Sequence, residues 1–441
     1  RPEGAEEDRD IVRMRVVVPV LMALAAALGL ILGAVLPSGG QSPSSSPTTS
    51  SRPSASTDSS SSSEPSSDPS SEPSDSPSPQ GSDNPNSDFP VTGDGGGVAA
   101  ENQPAPSFEV TRLAPGEKPP QFVLVAFDGA CSNEVFQQFM ETAGATGAKY
   151  TMFLSGLCLL PESQRFMYKT PGRDAGESAI GFADDTPEVL QRISNLTRAY
   201  NEGHEIGTHF LGHFCDPSQG SVNSWNAKEW ESEFAQDAEF TNDWAAINGI
   251  TDPTPLPFNH SVVQGARTPC LEGQPDVMYP IFKEHGFTYD ASGTGTLEWP
   301  SLNKYGLWEF PLQDIHVAGF GRDSLSMDYN LLCQQNGSGG ADCNDSSDPA
   351  VCQQAEDSTY QSLMQAVDAL YSGNRAPLFW GMHWKPLMCG AYIRAVQQFI
   401  RDATAQYPDV RFITHKDLVT WLNAQDPAVL AKLRAEGSLQ Y

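Results

Sequence analysis

Basic residues are scarce in this chain. Against 55 aspartates and glutamates it has only 26 lysines and arginines, a formal net charge of −29 over 441 residues. That deficit argues against a nucleic-acid-binding surface, which needs a cationic footprint. It also argues against docking on anionic lipid through a basic patch. Cysteine is missing from the first 130 residues and again after Cys389, so all eight cysteines belong to one region and none is placed to carry a lipid near the start. Apolar residues are nearly absent from 37–106, a stretch of Ser, Pro, Asp and Gly that cannot bury enough surface to offset its ordering entropy. It is expected to be a disordered linker, extended by proline and like charge, such as a stalk lifting a domain away from a membrane or through a cell wall. No internal repeat is visible.

What is present begins with a charged segment, 1–15, in which Arg9, Arg13 and Arg15 lead into an uncharged run at 16–36. The run is long enough to span a bilayer as a helix, and the arginines favour keeping its N-terminal end in the cytoplasm. Read from Met14 the same run is a secretory signal peptide. No Ala-x-Ala site follows, which favours an uncleaved anchor; on either reading the remainder is extracellular, secreted or held at the membrane.

From Ser107 the composition becomes that of a globular domain, expected over 107–425, with a helical tail at 426–441. Short apolar runs at 122–127, 150–154, 262–263, 287–289, 378–380 and 410–413 read as strands, and the continuous run at 122–127 suits a strand covered on both faces. Thr186-Pro187-Glu188 reads as a helix start with Thr186 as the cap, and 228–248 as a helix closed by Gly249. Strands alternating with helices predict an α/β fold with a parallel sheet or barrel, whose chemistry gathers at the C-terminal ends of the strands. Eight cysteines in an exported domain should be paired. Cys333, Cys343 and Cys352 fall in a Gly-, Asn- and Asp-rich insertion that at least one bridge should pin.

Those strand ends carry polar residues. The stretch at 203–213 ends in His209-x3-His213, a spacing that lets two imidazoles reach one ion. The other ends are Asp128-Gly129, Arg267-Thr268-Pro269, Tyr289-Asp290-Ala291-Ser292 and His383-Trp384. Singly each has a plain explanation, since Asp-Gly is a common turn pair and a histidine can be a satisfied core residue. Five polar residues at five predicted strand ends point instead to one site.

In their order and composition these segments resemble the motifs of the polysaccharide deacetylases, carbohydrate esterase family 4. The likeness spans 122–422, is nearest to the insect-type chitin deacetylases, and includes Trp225, Trp230 and the closing segment at 407–414. The resemblance implies a distorted (β/α) barrel and a metal-dependent hydrolase removing N-acetyl groups from an N-acetylglucosamine polymer. Its divalent metal is expected to be zinc, and its partner a chitin- or peptidoglycan-type glycan, with no nucleic acid and a monomeric state. By position it implies His209 and His213 as metal ligands, Asp128 as base and His383 as general acid. Arg267 would fix Asp128, Asp290 would tune its neighbours by charge pairing, and Trp384 and Pro269 would meet the substrate. The chain departs from the family at Gly129, where the third ligand, an aspartate, is expected, and at Phe210, which replaces a hydroxyl. Asp128 could turn to ligate, Asp216 or Asp184 could substitute, or the protein could bind glycan without turning it over.

Overall fold

The run at 122–127 forms the spine of the sheet. The computed structural model describes residues 106–218 and 220–439. Its strands are β1 (Gln121–Gly129), β2 (Tyr150–Leu154), β3 (Glu205–Thr208), β4 (Gly265–Ala266), β5 (Tyr289–Asp290), β6 (Thr294–Gly295), β7 (Ser301–Leu302), β8 (Trp308–Glu309), β9 (Leu312–Val317), β10 (Arg322–Leu325), β11 (Leu378–His383) and β12 (Val410–Phe412). The helices are α1 (Asn133–Thr146), α2 (Thr186–Asn201), α3 (Ala227–Asn242), α4 (Pro275–Glu284), α5 (Asp328–Gln335), α6 (Pro349–Ser372), α7 (Leu387–Gln406), α8 (His415–Ala424) and α9 (Pro427–Ala435). The charged segment 1–15, the candidate membrane or signal segment at 16–36, and the linker apart from Pro106 lie outside the described residues. Among the described residues no helix is long and apolar enough to cross a membrane.

β1 is buried along all but its last residue. It pairs in parallel with β11 on one side, and on the other with β12 and then β2. From β2 the sheet runs through β3, β4, β5 and β8 to β7, with only the β7–β8 pair antiparallel. The expected barrel is therefore open, because β7 and β11 are not hydrogen-bonded to each other. The second sheet, β10–β9–β6, covers the free edge of β11. Ser326 accepts from the Gly381 N–H, and the Gln313 side chain accepts from Phe379 and donates to Pro377. An edge left bare would invite pairing with another chain.

Local signals explain most element ends. Ser132 caps α1, and Asn226 with Glu229 forms a capping box on α3. The cap of α2 is Asp185, one residue before the predicted Thr186. The helix predicted at 228–248 breaks at Asp243 into α3 and a single turn, Trp244–Ile247, before Gly249. The strand predicted at 262–263 is a tight helical turn, His260–Val262, with β4 beginning at Gly265. The tail is not separate from the domain: Leu430 and Leu433 of α9 are buried, and Leu439 bridges to Leu297.

All eight cysteines are bonded, as Cys131–Cys158, Cys215–Cys270, Cys333–Cys343 and Cys352–Cys389. The third ties the insertion after α5 back to α5, and the fourth ties α6 to the start of α7.

Candidate active site

The pairing register brings the site together. Asp128 of β1 lies directly opposite His383 of β11 and, on the other side, opposite Phe153 of β2. Phe153 in turn lies opposite Gly207 of β3. Gly207 has no side chain for a reason: a Cβ there would stand 2.7 Å from the Phe153 ring. The same holds at Gly265, where a Cβ would run into the Tyr289 ring. The two glycines let aromatic rings fold under the strand ends and form a floor.

Arg267 crosses that floor. Its side chain is fully buried, its guanidinium lies 4.9 Å from the Phe153 ring centre, Nε donates to the Ala291 carbonyl at 3.1 Å, and Nη1 donates to Asp128 Oδ1 at 2.8 Å. Burial pushes the Asp128 carboxyl up, but Arg267, with His209 and His383 adding to it, outweighs burial and holds the carboxyl below its ordinary value.

His209 follows β3 and is buried. Its Nδ1 lies 2.7 Å from the Arg267 carbonyl, an acceptor only, so Nδ1 carries the hydrogen and Nε2 keeps its lone pair. That Nε2 is buried and has no hydrogen-bond partner among the described residues. The His213 ring centre is 5.0 Å away. Burial pushes His209 down to about 3, against the pull of Asp128, and also lowers His213, so both rings are neutral in the form that binds metal. A backbone carbonyl that fixes the tautomer and a free imidazole lone pair beside a second imidazole fit a divalent ion.

Among the described residues, none of the expected replacements joins both histidines in a cluster of ligand atoms within 4.8 Å of one another. Asp128 stays on Arg267. Asp216 accepts from Ser221 Oγ and Asn223 Nδ2 within its own loop, and Asp184 lies exposed beside the start of α2. Among the described residues, one set of three ligand-type side chains brings its donor atoms within 4.8 Å of one another, His213, Cys215 and Cys270. Two of these are joined as a disulfide, so this set is no thiolate site. Gly129 has φ +81°, and a Cβ built there would meet nothing within 4 Å.

Three sequence-based assignments are corrected. Among the described residues Asp290 pairs with no cation: it accepts from Ser292 Oγ at 2.6 Å and Tyr279 OH at 3.1 Å, and burial pushes it up to about 6. Trp384 is no sugar platform, being packed between Phe127 and Phe136 at ring distances of 5.0 and 5.7 Å. The reason is the strand period of two, which turns the neighbour of His383 to the opposite face. Pro269 is likewise buried, in the turn Pro269–Leu271, and offers no face to a ligand.

Two residues that sequence reasoning missed complete the site. Asp328 opens α5 and holds His383 twice, accepting from its backbone N–H at 2.7 Å and its Nδ1 at 2.8 Å. Burial lowers His383, but Asp328 and then Asp128 outweigh it and raise it above its ordinary value. The neighbouring Tyr329 is half exposed, and its ring centre lies 6.3 Å from that of His383. An acid followed by an aromatic at a helix start is too common a pairing to have flagged either residue.

No protein-family profile matches the chain, and no curated protein is similar to it in sequence. Among solved structures it is similar to a polysaccharide deacetylase from Mycobacterium smegmatis (14% identity, covering 72% of this chain and 96% of that one, TM-score 0.43). It is also similar to a polysaccharide deacetylase from Pseudomonas aeruginosa (14%, 73% and 95%, TM-score 0.40). A third is a peptidoglycan deacetylase from Bacillus subtilis (13%, 74% and 100%, TM-score 0.33). Likenesses this remote do not say what the site does, which has to be argued from its own atoms.

Proposed function

We propose that this domain is an extracellular, metal-dependent deacetylase that removes N-acetyl groups from an N-acetylglucosamine polymer, a polysaccharide deacetylase in kind. The observation carrying the proposal is the placement of three groups at the same end of β11, β1 and β3 in one sheet. They are a carboxylate held ionised by a buried arginine, an imidazole with a free buried lone pair beside a second imidazole, and an aspartate-backed histidine directly across the sheet.

Such a set divides the labour of amide hydrolysis. His209 and His213 would hold the ion, with zinc the natural candidate for two neutral imidazoles, and the ion would polarise the acetyl carbonyl and acidify its water. Asp128, kept ionised by Arg267, takes the proton of the attacking water. His383, protonated on Nε2 and held through Nδ1 by Asp328, gives a proton to the leaving amine. The exposed Tyr329 ring offers a sugar face a stacking partner in place of Trp384.

The substrate is proposed to be chitin-type or peptidoglycan-type glycan, both of which present the acetamido group. A chitin-directed enzyme of the insect type is the finer reading, carried by motif order alone. We place the domain outside the cell as a monomer, secreted or anchored through 16–36. Acetate release from chitin oligosaccharides and from peptidoglycan, with and without added zinc, tests the reading. Metal-dependent acetate is the expected result. Saturable glycan binding without acetate would establish the second reading, a binder impaired in catalysis, which the side-chain-free Gly129 favours.

A further inference from the structure

The turn between the two histidines has a backbone that its own residues do not hold in place. Phe210 and His213 both adopt positive φ, 57° and 56°, a conformation costing a side-chain-bearing residue about 1–2 kcal/mol. Three N–H groups stand between the imidazoles, and each has its acceptor outside the turn. The Phe210 N–H donates to Thr208 Oγ1 at 2.8 Å, and that hydroxyl donates to Asp237 Oδ2 at 2.7 Å. The N–H groups of Leu211 and Gly212 donate to Glu233 Oε1 at 2.9 and 3.3 Å. Glu233 Oε2 accepts from Tyr168 OH at 3.0 Å.

Glu233 and Asp237 are both buried, and both belong to α3. Four residues apart, they stand one above the other on a single helix face. All three amides of the turn therefore end on carboxyl groups of one helix, directly or through one hydroxyl. The side chains agree: Phe210 packs against Trp230 and Phe234 of the same helix, at ring distances of 5.1 and 5.2 Å. Placing a carboxyl in this interior costs several kcal/mol unless it is well hydrogen-bonded, and an apolar residue would fill the space without that cost. What the carboxyl gains here is the turn.

We propose that Glu233 is the positioning residue of the His209-x3-His213 turn: it fixes where His213 stands relative to His209, with Asp237 supporting it through Thr208. The proposal rests on the reading of the two histidines as metal ligands. It also accounts for Phe210, whose missing hydroxyl is replaced by acceptors from α3.

The test titrates zinc alone by calorimetry into the wild type, Glu233→Gln and Glu233→Leu, with hydrogen exchange followed on the amides of residues 210–212. Glutamine keeps an oxygen for both amides and an amide group for Tyr168, so it should bind zinc within about threefold of the wild type. Leucine fills the space but accepts nothing. It should lose at least tenfold in zinc affinity, with faster exchange at Leu211 and Gly212. Leu363→Ala, a cavity in the distant α6, serves as the control for a general loss of stability and should leave zinc affinity unchanged. If Glu233→Leu does not fold, Thr208→Val cuts the relay to Phe210 at constant size and should weaken zinc severalfold. Unchanged affinity and unchanged exchange in a folded Glu233→Leu or Thr208→Val would overturn the proposal. If the wild type binds no zinc, the metal reading fails, and the exchange comparison still decides whether Glu233 holds the turn.

Discussion

His383 and Asp328 set the upper pH limit of the proposed reaction. A general acid works only while protonated. The raised value of His383 keeps it protonated above the usual histidine range, and activity falls as pH rises through that value. Asp328→Asn removes the charge that supports protonation. The alkaline limb of the pH–rate profile should move to lower pH and the maximal rate should drop by about tenfold to a hundredfold, a general acid being worth up to about 10⁴. An unshifted limb would assign that limb to another group. At Gly129 space and strain oppose each other. Nothing blocks a side chain, yet φ +81° strains any Cβ by roughly 1 kcal/mol. Aspartate tolerates this conformation better than most residues. Gly129→Asp should therefore bind zinc about tenfold or more tighter than the wild type while losing a little stability, read by calorimetry and thermal melting. Equal affinities would mean that the wild type already has its third ligand. Asp128, His209, Arg267 and His383 could be picked out in the sequence because each stands at or just past a strand end, where this class of fold exposes chemistry, and His213 through its spacing from His209. Asp328 and Glu233 were not, since both come from helices, and which helical carboxyl reaches a strand end depends on packing that no local pattern encodes. Asp290 draws attention in the sequence because it does end a strand, but its partners are a serine and a tyrosine.

At the scale of elements, the sheet depends on what its middle strands leave out. β4 and β5 are only two residues each, and Gly265 makes room for the Tyr289 ring that forms part of the floor. Gly265→Ala should cost about 1–3 kcal/mol by overpacking, with a lower melting temperature and, because Arg267 follows two residues later, weaker activity. A neutral effect would mean that the ring can move aside. The long runs at 122–127, 150–154 and 378–380 were legible because strands covered on both faces read as continuous apolar segments. β6 and β7 were not, since two residues carry no period, and β4 was marked only by the polar residues at its end. The expected helix at 228–248 missed its break at Asp243, which no glycine or proline marks.

For the molecule as a whole, the packed domain extends on both sides of residues 122–422. The N-terminal side is tied down by Ser107, whose hydroxyl donates to Asp417, and by Leu113, whose N–H donates to Gln425. The C-terminal side is tied by Asn374, which donates to the Gly437 carbonyl, and by the Leu430 and Leu433 side chains. Removing residues 426–441 should destabilise the fold by roughly 3 kcal/mol or more, since each buried leucine contributes about 1.5–3 kcal/mol. Thermal melting of the truncated chain measures this, and an unchanged midpoint would make the tail dispensable.

The Cys215–Cys270 bridge joins the segment following His213 to the segment following Arg267. The loops that follow His213 and Arg267 are therefore joined covalently whether or not the proposed ion is bound, unlike small zinc domains that collapse without their metal. On the proposed metal reading, chelation should accordingly leave the melting temperature unchanged, and zinc added afterwards should bind with no refolding lag. A reductant, not a chelator, would be the agent that takes these loops apart.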